Sequence, residues 1–220
     1  MKFWRLCSFR AIVKAIVLQE PFHNLASRGM HEKGVRSGLK PTDFDSLHNI
    51  SAGKHFYQFY KGPEDYLHAM VSYFQTGLEK GQACFWLVSA RIGIPKVHEF
   101  VESLIPQAKS YLSTGQLQIL SAETWYLTQG TFDEEKAMSN ALQALETIQK
   151  KGFSVLRGSG DAGAIPRSDW KRVFSYEKNI SRWIKSQPVI ALCAYPIFEC
   201  SLTETQAVLD RHDDVLIGRF

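Results

Sequence analysis

The turn formed by Tyr60, Lys61, Gly62, Pro63, Glu64 and Asp65 is where this chain of 220 residues comes closest to a known chemistry. It follows an aromatic run, His55 to Tyr60, and precedes apolar residues at helical spacing, Leu67, Met70, Val71, Phe74 and Leu78. A nucleotide-binding α/β protein carries its phosphate loop at that position. Such a loop needs several glycines, so that backbone N–H groups can approach phosphate, and then Lys and Ser or Thr. Here there is one glycine, a proline that lacks a donor, and two carboxylates that repel a triphosphate. The turn reads as a degenerate phosphate loop, with no nucleotide and no other cofactor expected.

The other reactive residue types give weaker patterns. Asp161 follows a short apolar run, as the magnesium-linked aspartate of an ATPase does, but without a phosphate loop it reads as a loop aspartate that bonds its own backbone. Ser89, Ala90 and Arg91, after the second apolar run, supply no acidic general base. Gly158, Ser159 and Gly160 fall short of the GxSxG nucleophile pattern. His55, His68, His98 and His212 lie on different segments, none at i, i+4 spacing around a carboxylate, so no metal site is expected. The cysteines Cys7, Cys84, Cys193 and Cys200 contain no CxxC; Cys84 and Cys193 sit in apolar runs, where a thiol packs as a small hydrophobe, and a reducing cytoplasm is expected. Arg157, inside an apolar stretch, needs a partner, for which Glu123 and Asp161 are the candidates, either as a structural ion pair or as a ligand clamp. Taken together these residues predict a protein that is not an enzyme.

The elements that must position them alternate regularly. An aromatic strand, an amphipathic helix opened by Pro63 and closed at Gly81, and an apolar strand Ala83–Val88 make a βαβ unit, which closes right-handed with parallel strands. A helix after Pro95, a half-buried strand Gln116–Leu120, a helix capped by Thr131 with Glu134, a short strand Phe153–Arg157 and a glycine-rich loop Gly158–Gly163 follow. A helix over Asp169–Lys185, a central strand Val189–Ala194, a short helix started by Ser201 with Glu204, and an edge strand Val215–Ile217 complete the pattern. This predicts an α/β three-layer sandwich with a mostly parallel sheet. In such sheets ligands bind beyond the carboxyl ends of the strands, which places Tyr60, Lys61, Glu123, Trp125, Tyr126, Asp161 and Tyr195 at the expected site, with Arg157 beside them. Aromatic walls with few polar groups suit a small, largely apolar molecule; Trp125 and Tyr126 either line that pocket or simply cap the sheet.

Charge is unevenly distributed. Residues 1–48 hold 8 Lys plus Arg against 4 Asp plus Glu, whereas residues 49–220 hold 18 of each, so the formal charge of +4 resides in the first segment. A neutral main domain is a poor nucleic-acid binder. Residues 1–48 read as a basic, poorly ordered extension and linker, with Met30 an alternative start, and residues 49–220 as one domain. No apolar run approaches the roughly 20 residues that span a bilayer.

Four stretches in order, HFYQFYKGPEDYLHAMVSYFQTGLEKGQACFWLVS, GQLQILSAETWYL, FSVLRGSGDAG and PVIALCAYP, resemble the MEDS domain, the sensory domain of DcmR-like regulators of methanogens and methylotrophs. The resemblance covers roughly residues 50–217. It implies a RecA/KaiC-like fold without a phosphate loop and a role in sensing small organic molecules, hydrocarbon derivatives among them. No kinase, PAS module or helix-turn-helix is visible, so a histidine kinase or transcription regulator is expected to act in trans, and a homo-oligomer is compatible with the ancestry. A divergent nucleotide-binding switch and a ligand-independent scaffold are the competing readings.

Overall fold

The computed structural model describes residues 50–215. The expectations for residues 1–48 and for residues 216–217 of the last strand lie outside the described residues.

Strand β1 (Lys54–Tyr60) runs into helix α1 (Pro63–Glu79), which returns to strand β2 (Ala83–Val88). Pro63 occupies the first turn of α1, where its missing N–H costs nothing, and Glu64 and Asp65 face the positive end of the helix dipole. Helices α2 (Ile94–Leu104) and α3 (Ala108–Thr114) lead to strand β3 (Leu117–Ser121). A short helix α4 (Ala122–Tyr126) and a small hairpin, β4 (Leu127–Thr128) with β5 (Thr131–Phe132), precede helix α5 (Glu134–Lys150). Strand β6 (Leu156–Asp161), helix α6 (Trp170–Ile184), strand β7 (Val189–Pro196), helix α7 (Leu202–Leu209) and strand β8 (Asp214–Val215) follow.

Six strands form one sheet in the order β3-β2-β6-β7-β1-β8, and every pairing is parallel. The chain therefore folds as the α/β three-layer arrangement that its alternating pattern predicts. Side-chain parity divides the core into two layers. On one face α1, α2 and α3 cover Cys84, Trp86, Val88, Ile190, Leu192 and Ala194. The Trp86 indole stacks on Phe74 at 5.0 Å and donates to the Tyr66 hydroxyl at 2.9 Å, so the ring is buried without orphaning its N–H. On the other face α4, α5, α6 and α7 cover Tyr57, Phe85, Leu87, Val189 and Tyr195.

Three local expectations are corrected. The residues Gly158 to Asp161, read as a loop, are the body of β6, which begins at Leu156. Glycine is needed there because a Cβ on Gly160 would lie 2.2 Å from the Tyr126 hydroxyl; the sequence signal of a loop was the signal of a ring packed against the backbone. Helix α5 is capped by Asp133, whose carboxylate accepts from the Lys136 N–H at 3.0 Å, and not by Thr131. Helical spacing in the sequence places Leu142 on the inward side of α5 with Met138, Ala141, Leu145 and Ile148, yet it is 44% exposed, since α5 turns Ala137, Ala144, Leu145 and Ile148 to the sheet. The Ser201–Glu204 capping box forms as read. Among the described residues no helix is long and apolar enough to cross a membrane.

Candidate functional site

The corner at the carboxyl end of β1 is filled by its own side chains. Tyr60 ends the strand 4% exposed, packs on Tyr66 at 5.2 Å, and donates its hydroxyl to Asp161 Oδ1 at 2.9 Å. Asp161, at the end of β6, is fully buried; it accepts from the Ser89 hydroxyl through its other oxygen and from the Gly163 N–H at 2.9 Å. Burial raises its pKa, and the Ser89, Gly163 and Tyr60 donors and nearby Arg91 only partly oppose that. Arg91 is itself paired with Glu199 across the top of the corner. Lys61 is exposed, and its backbone N–H donates to Asp65 at 3.3 Å.

The remaining expected site residues go to four other places. Glu123 clamps the loop after β2, accepting from the Ala90 N–H at 2.7 Å and from Ser121 at 3.1 Å. Arg157 lies near the amino end of β6, far along the strand from Asp161. Its Nε donates to Gln82 Oε1 at 2.7 Å and its Nη1 to the Tyr73 carbonyl at 3.2 Å, with the guanidinium 4.7 Å from the Tyr73 ring centre. Neither Glu123 nor Asp161 is its partner, because residue 157 enters the sheet where residue 161 leaves it. Tyr195 is wholly buried beneath α6 and donates to Glu177 Oε1 at 3.0 Å.

Trp125 and Tyr126 come together at a cavity, which lies against one face of the sheet rather than beyond its strand ends. Its volume is about 80 Å³. The floor is Phe85, Leu87, Gly158, Gly160 and Ala191, and helices α4, α5 and α6 close it through Trp125, Tyr126, Ala144, Tyr176, Ile180 and Trp183. Space exists because the strands contribute glycine and alanine where facing residues are rings. Helix α4 sets the aromatic pair by way of its cap: the Ser121 hydroxyl accepts from the Thr124 N–H at 3.1 Å, and Asn140 of α5 donates to the Trp125 carbonyl at 2.9 Å.

At one wall of this cavity His55 and Cys193 meet Glu177 and His212. His55 on β1 and Cys193 on β7 share a face, since His55 pairs in register with Ala191, two residues before Cys193. Their Nε2 and Sγ atoms are 3.1 Å apart, and Glu177 Oε2 lies 3.4 Å from His55 Nε2 and 3.5 Å from His212 Nε2. The four liganding atoms all fall within 4.8 Å of one another. Burial pushes the Glu177 carboxyl up to about 7 and holds His212 down at about 4, with His55 also well below its ordinary value. The histidines had been expected to be unrelated and Cys193 to be a packing residue. The cluster draws on β1, α6, β7 and the turn after α7, so no local spacing in the sequence could announce it.

With this geometry in place, the family model described as MEDS, the methanogen/methylotroph, DcmR sensory domain, matches residues 54–213. The chain belongs to the MEDS family. The matched range begins at the first residue of β1 and ends just before β8, so the MEDS domain contains the corner, the cavity and the buried cluster alike. No curated protein matches the chain. Among solved structures the MEDS domain is similar to flagellar accessory protein FlaH from Methanocaldococcus jannaschii, with 12% identity, a TM-score of 0.46, and coverage of 80% of this chain and 76% of that one.

Proposed function

We propose that this MEDS domain is a non-enzymatic sensory module that binds a small, largely apolar organic molecule in the cavity between the sheet and helices α4, α5 and α6. The single observation that carries the reading is the cavity itself, about 80 Å³ behind aromatic and aliphatic walls, in a domain of a sensory family. An engineered apolar cavity of about 150 Å³ holds benzene. A space about half that size suits a molecule of a few heavy atoms, such as a short hydrocarbon derivative.

The walls suit signalling because they belong to separate elements. A molecule that fits one spacing of α5 and α6 from the sheet better than another biases the domain between two states, and a separate kinase or regulator that reads the helices would by linkage change ligand affinity by the same factor. The carboxyl-end corner supports a non-enzymatic reading: the Tyr60 hydroxyl and the Ser89 hydroxyl occupy both Asp161 oxygens, and Pro63 removes a donor from the turn that would cradle phosphate. The cysteines Cys84, Cys193 and Cys200 are free thiols, in keeping with a reducing cytoplasm.

The test is a thermal-shift screen of one- to three-carbon halocarbons, alcohols, amines and thiols, repeated on Trp125→Ala. Stabilisation by one chemical class, lost in the variant while its far-UV circular dichroism is retained, is the expected result. Micromolar binding of ATP with magnesium by calorimetry, with no response to any small organic molecule, would reverse the assignment in favour of a nucleotide switch.

A further inference from the structure

We infer that His55, Glu177, Cys193 and His212 form a binding site for one divalent cation of borderline softness, zinc before all others. The argument rests on where the protons of the two histidines must be. His212 Nδ1 lies 2.7 Å from the Val208 carbonyl, which can only accept, so Nδ1 carries the proton and Nε2 presents a lone pair. Ser181 Oγ donates to the Arg211 carbonyl at 2.8 Å, so at 2.6 Å it can only accept from His55 Nδ1, and His55 Nε2 is likewise a lone pair. Both rings are thus locked from behind in the tautomer that a metal needs, by a carbonyl and a hydroxyl, as the outer partners of metal-binding histidines do.

In front of the two rings, three acceptors converge on one point. The two imidazole lone pairs face Glu177 Oε2, while Glu177 Oε1 is held from behind by the Tyr195 hydroxyl. The thiol of Cys193 can offer a single proton to this group, to His55 Nε2 at 3.1 Å or to Glu177 Oε2 at 3.8 Å. His212 Nε2 has no hydrogen-bond partner among the described residues, although its side chain is completely buried. An orphaned acceptor in the interior is costly, and here it points at a carboxylate. A cation at the centre satisfies all four groups together.

The distances suit a tetrahedral ion. Bonds of about 2.0–2.1 Å to nitrogen or oxygen and about 2.3 Å to sulfur require ligand-to-ligand edges of about 3.3–3.6 Å. Of the six edges, four measure 3.1, 3.4, 3.5 and 3.8 Å, and the two that join His212 Nε2 to His55 Nε2 and to Cys193 Sγ lie within 4.8 Å, so the His212 ring must draw in as the ion binds. Two neutral imidazoles, a thiolate and a carboxylate bring a charge of −2, which a divalent ion cancels. The mixed N, S and O set favours zinc over magnesium or calcium, which prefer oxygen alone. On binding, the Cys193 thiol loses its proton to solvent as the metal–sulfur bond forms, together with any proton held by Glu177, so uptake weakens as pH falls. The site stands independently of the proposed organic ligand, although His55 and Cys193 also border the cavity.

The full chain, purified without chelator, is assayed for metal, stripped, and titrated with Co²⁺ in the absence of any organic molecule. The expected result is one zinc per chain and, with Co²⁺, a thiolate-to-cobalt charge-transfer band in the near ultraviolet with the intense visible bands of a tetrahedral site. Cys193→Ser removes the near-ultraviolet band, His212→Gln weakens binding at least as strongly, and Ser181→Ala, which only loosens His55, lowers affinity by about 10- to 100-fold. A folded wild-type protein that gives no charge-transfer band overturns the proposal, as does metal binding that survives both Cys193→Ser and His212→Gln. Because metal uptake is read without an organic ligand, failure here leaves the cavity reading untouched, and failure of the thermal-shift screen leaves this one untouched.

Discussion

The carboxyl-end corner and the cavity use similar residues to opposite effect. At the corner, Tyr60 and Tyr66 point inward, and hydroxyls close on one carboxylate; a Cβ on Gly163 would already meet the Tyr60 hydroxyl at 2.7 Å. At the cavity, Trp125, Tyr126 and Trp183 border about 80 Å³ of free space, although the Tyr126 hydroxyl itself packs on Gly160, where a Cβ would lie 2.2 Å away. Aromatic content alone thus does not mark a pocket. Both tyrosines face a glycine, so what distinguishes the two is whether the hydroxyl closes on a buried acceptor, as Tyr60 does on Asp161.

This contrast can be broken experimentally, and the largest effect is expected at the corner. Tyr60→Ala removes a ring that is 4% exposed along with its bond to Asp161, and should cost about 3–5 kcal/mol in urea unfolding, the usual range for an aromatic-to-alanine change in a core. A loss below about 1 kcal/mol would mean that the corner is solvated and available to a ligand. Asp161→Asn should have a smaller, pH-dependent effect. Burial raises the Asp161 pKa in the folded state against the lowering influence of Ser89, Gly163, Tyr60 and Arg91, the last of these paired with Glu199. A raised folded-state pKa means that stability is full below the unfolded value and lost as pH rises through the folded one. The neutral asparagine escapes that loss, so stability of the variant relative to wild type should climb with pH and then level off; a difference independent of pH would show that Asp161 keeps its ordinary acidity. The smallest change in stability is expected for Ala144→Leu, which extends a side chain from α5 into the cavity. Its melting temperature should equal or exceed that of wild type, while any thermal shift with small organic molecules disappears. Marked destabilisation would mean that the cavity is not free space.

The sequence made the fold legible where periodicity was strong. Leu67, Met70, Val71, Phe74 and Leu78 marked α1, and the apolar run from Val189 marked the strand that lies between β6 and β1. It misled where one residue type serves two purposes. Gly158 and Gly160 signal a turn in any local window, yet the missing side chain of Gly160 answers a ring supplied from residue 126, and Gly158 lines the cavity floor. Site reading failed in the same way. Trp125 and Tyr126 were found because they are large, but Ala144, Tyr176 and Trp183, which complete the cavity, look like ordinary helix-core residues until α5 and α6 are docked. His55, Glu177, Cys193 and His212 are separated by 122, 16 and 19 positions, and only the β1–β7 register and the return of the chain after α7 unite them.

The paired glycines of β6 have one further consequence. Where the free volume under α5 and α6 rests on β6, it is bounded by main chain, which cannot swing aside as the neighbouring Phe85 and Leu87 side chains can, so that part of the limit on what fits belongs to the sheet. Related chains that carry alanine or serine at residue 158 would accept smaller guests, whereas at residue 160 the Tyr126 ring would first have to move.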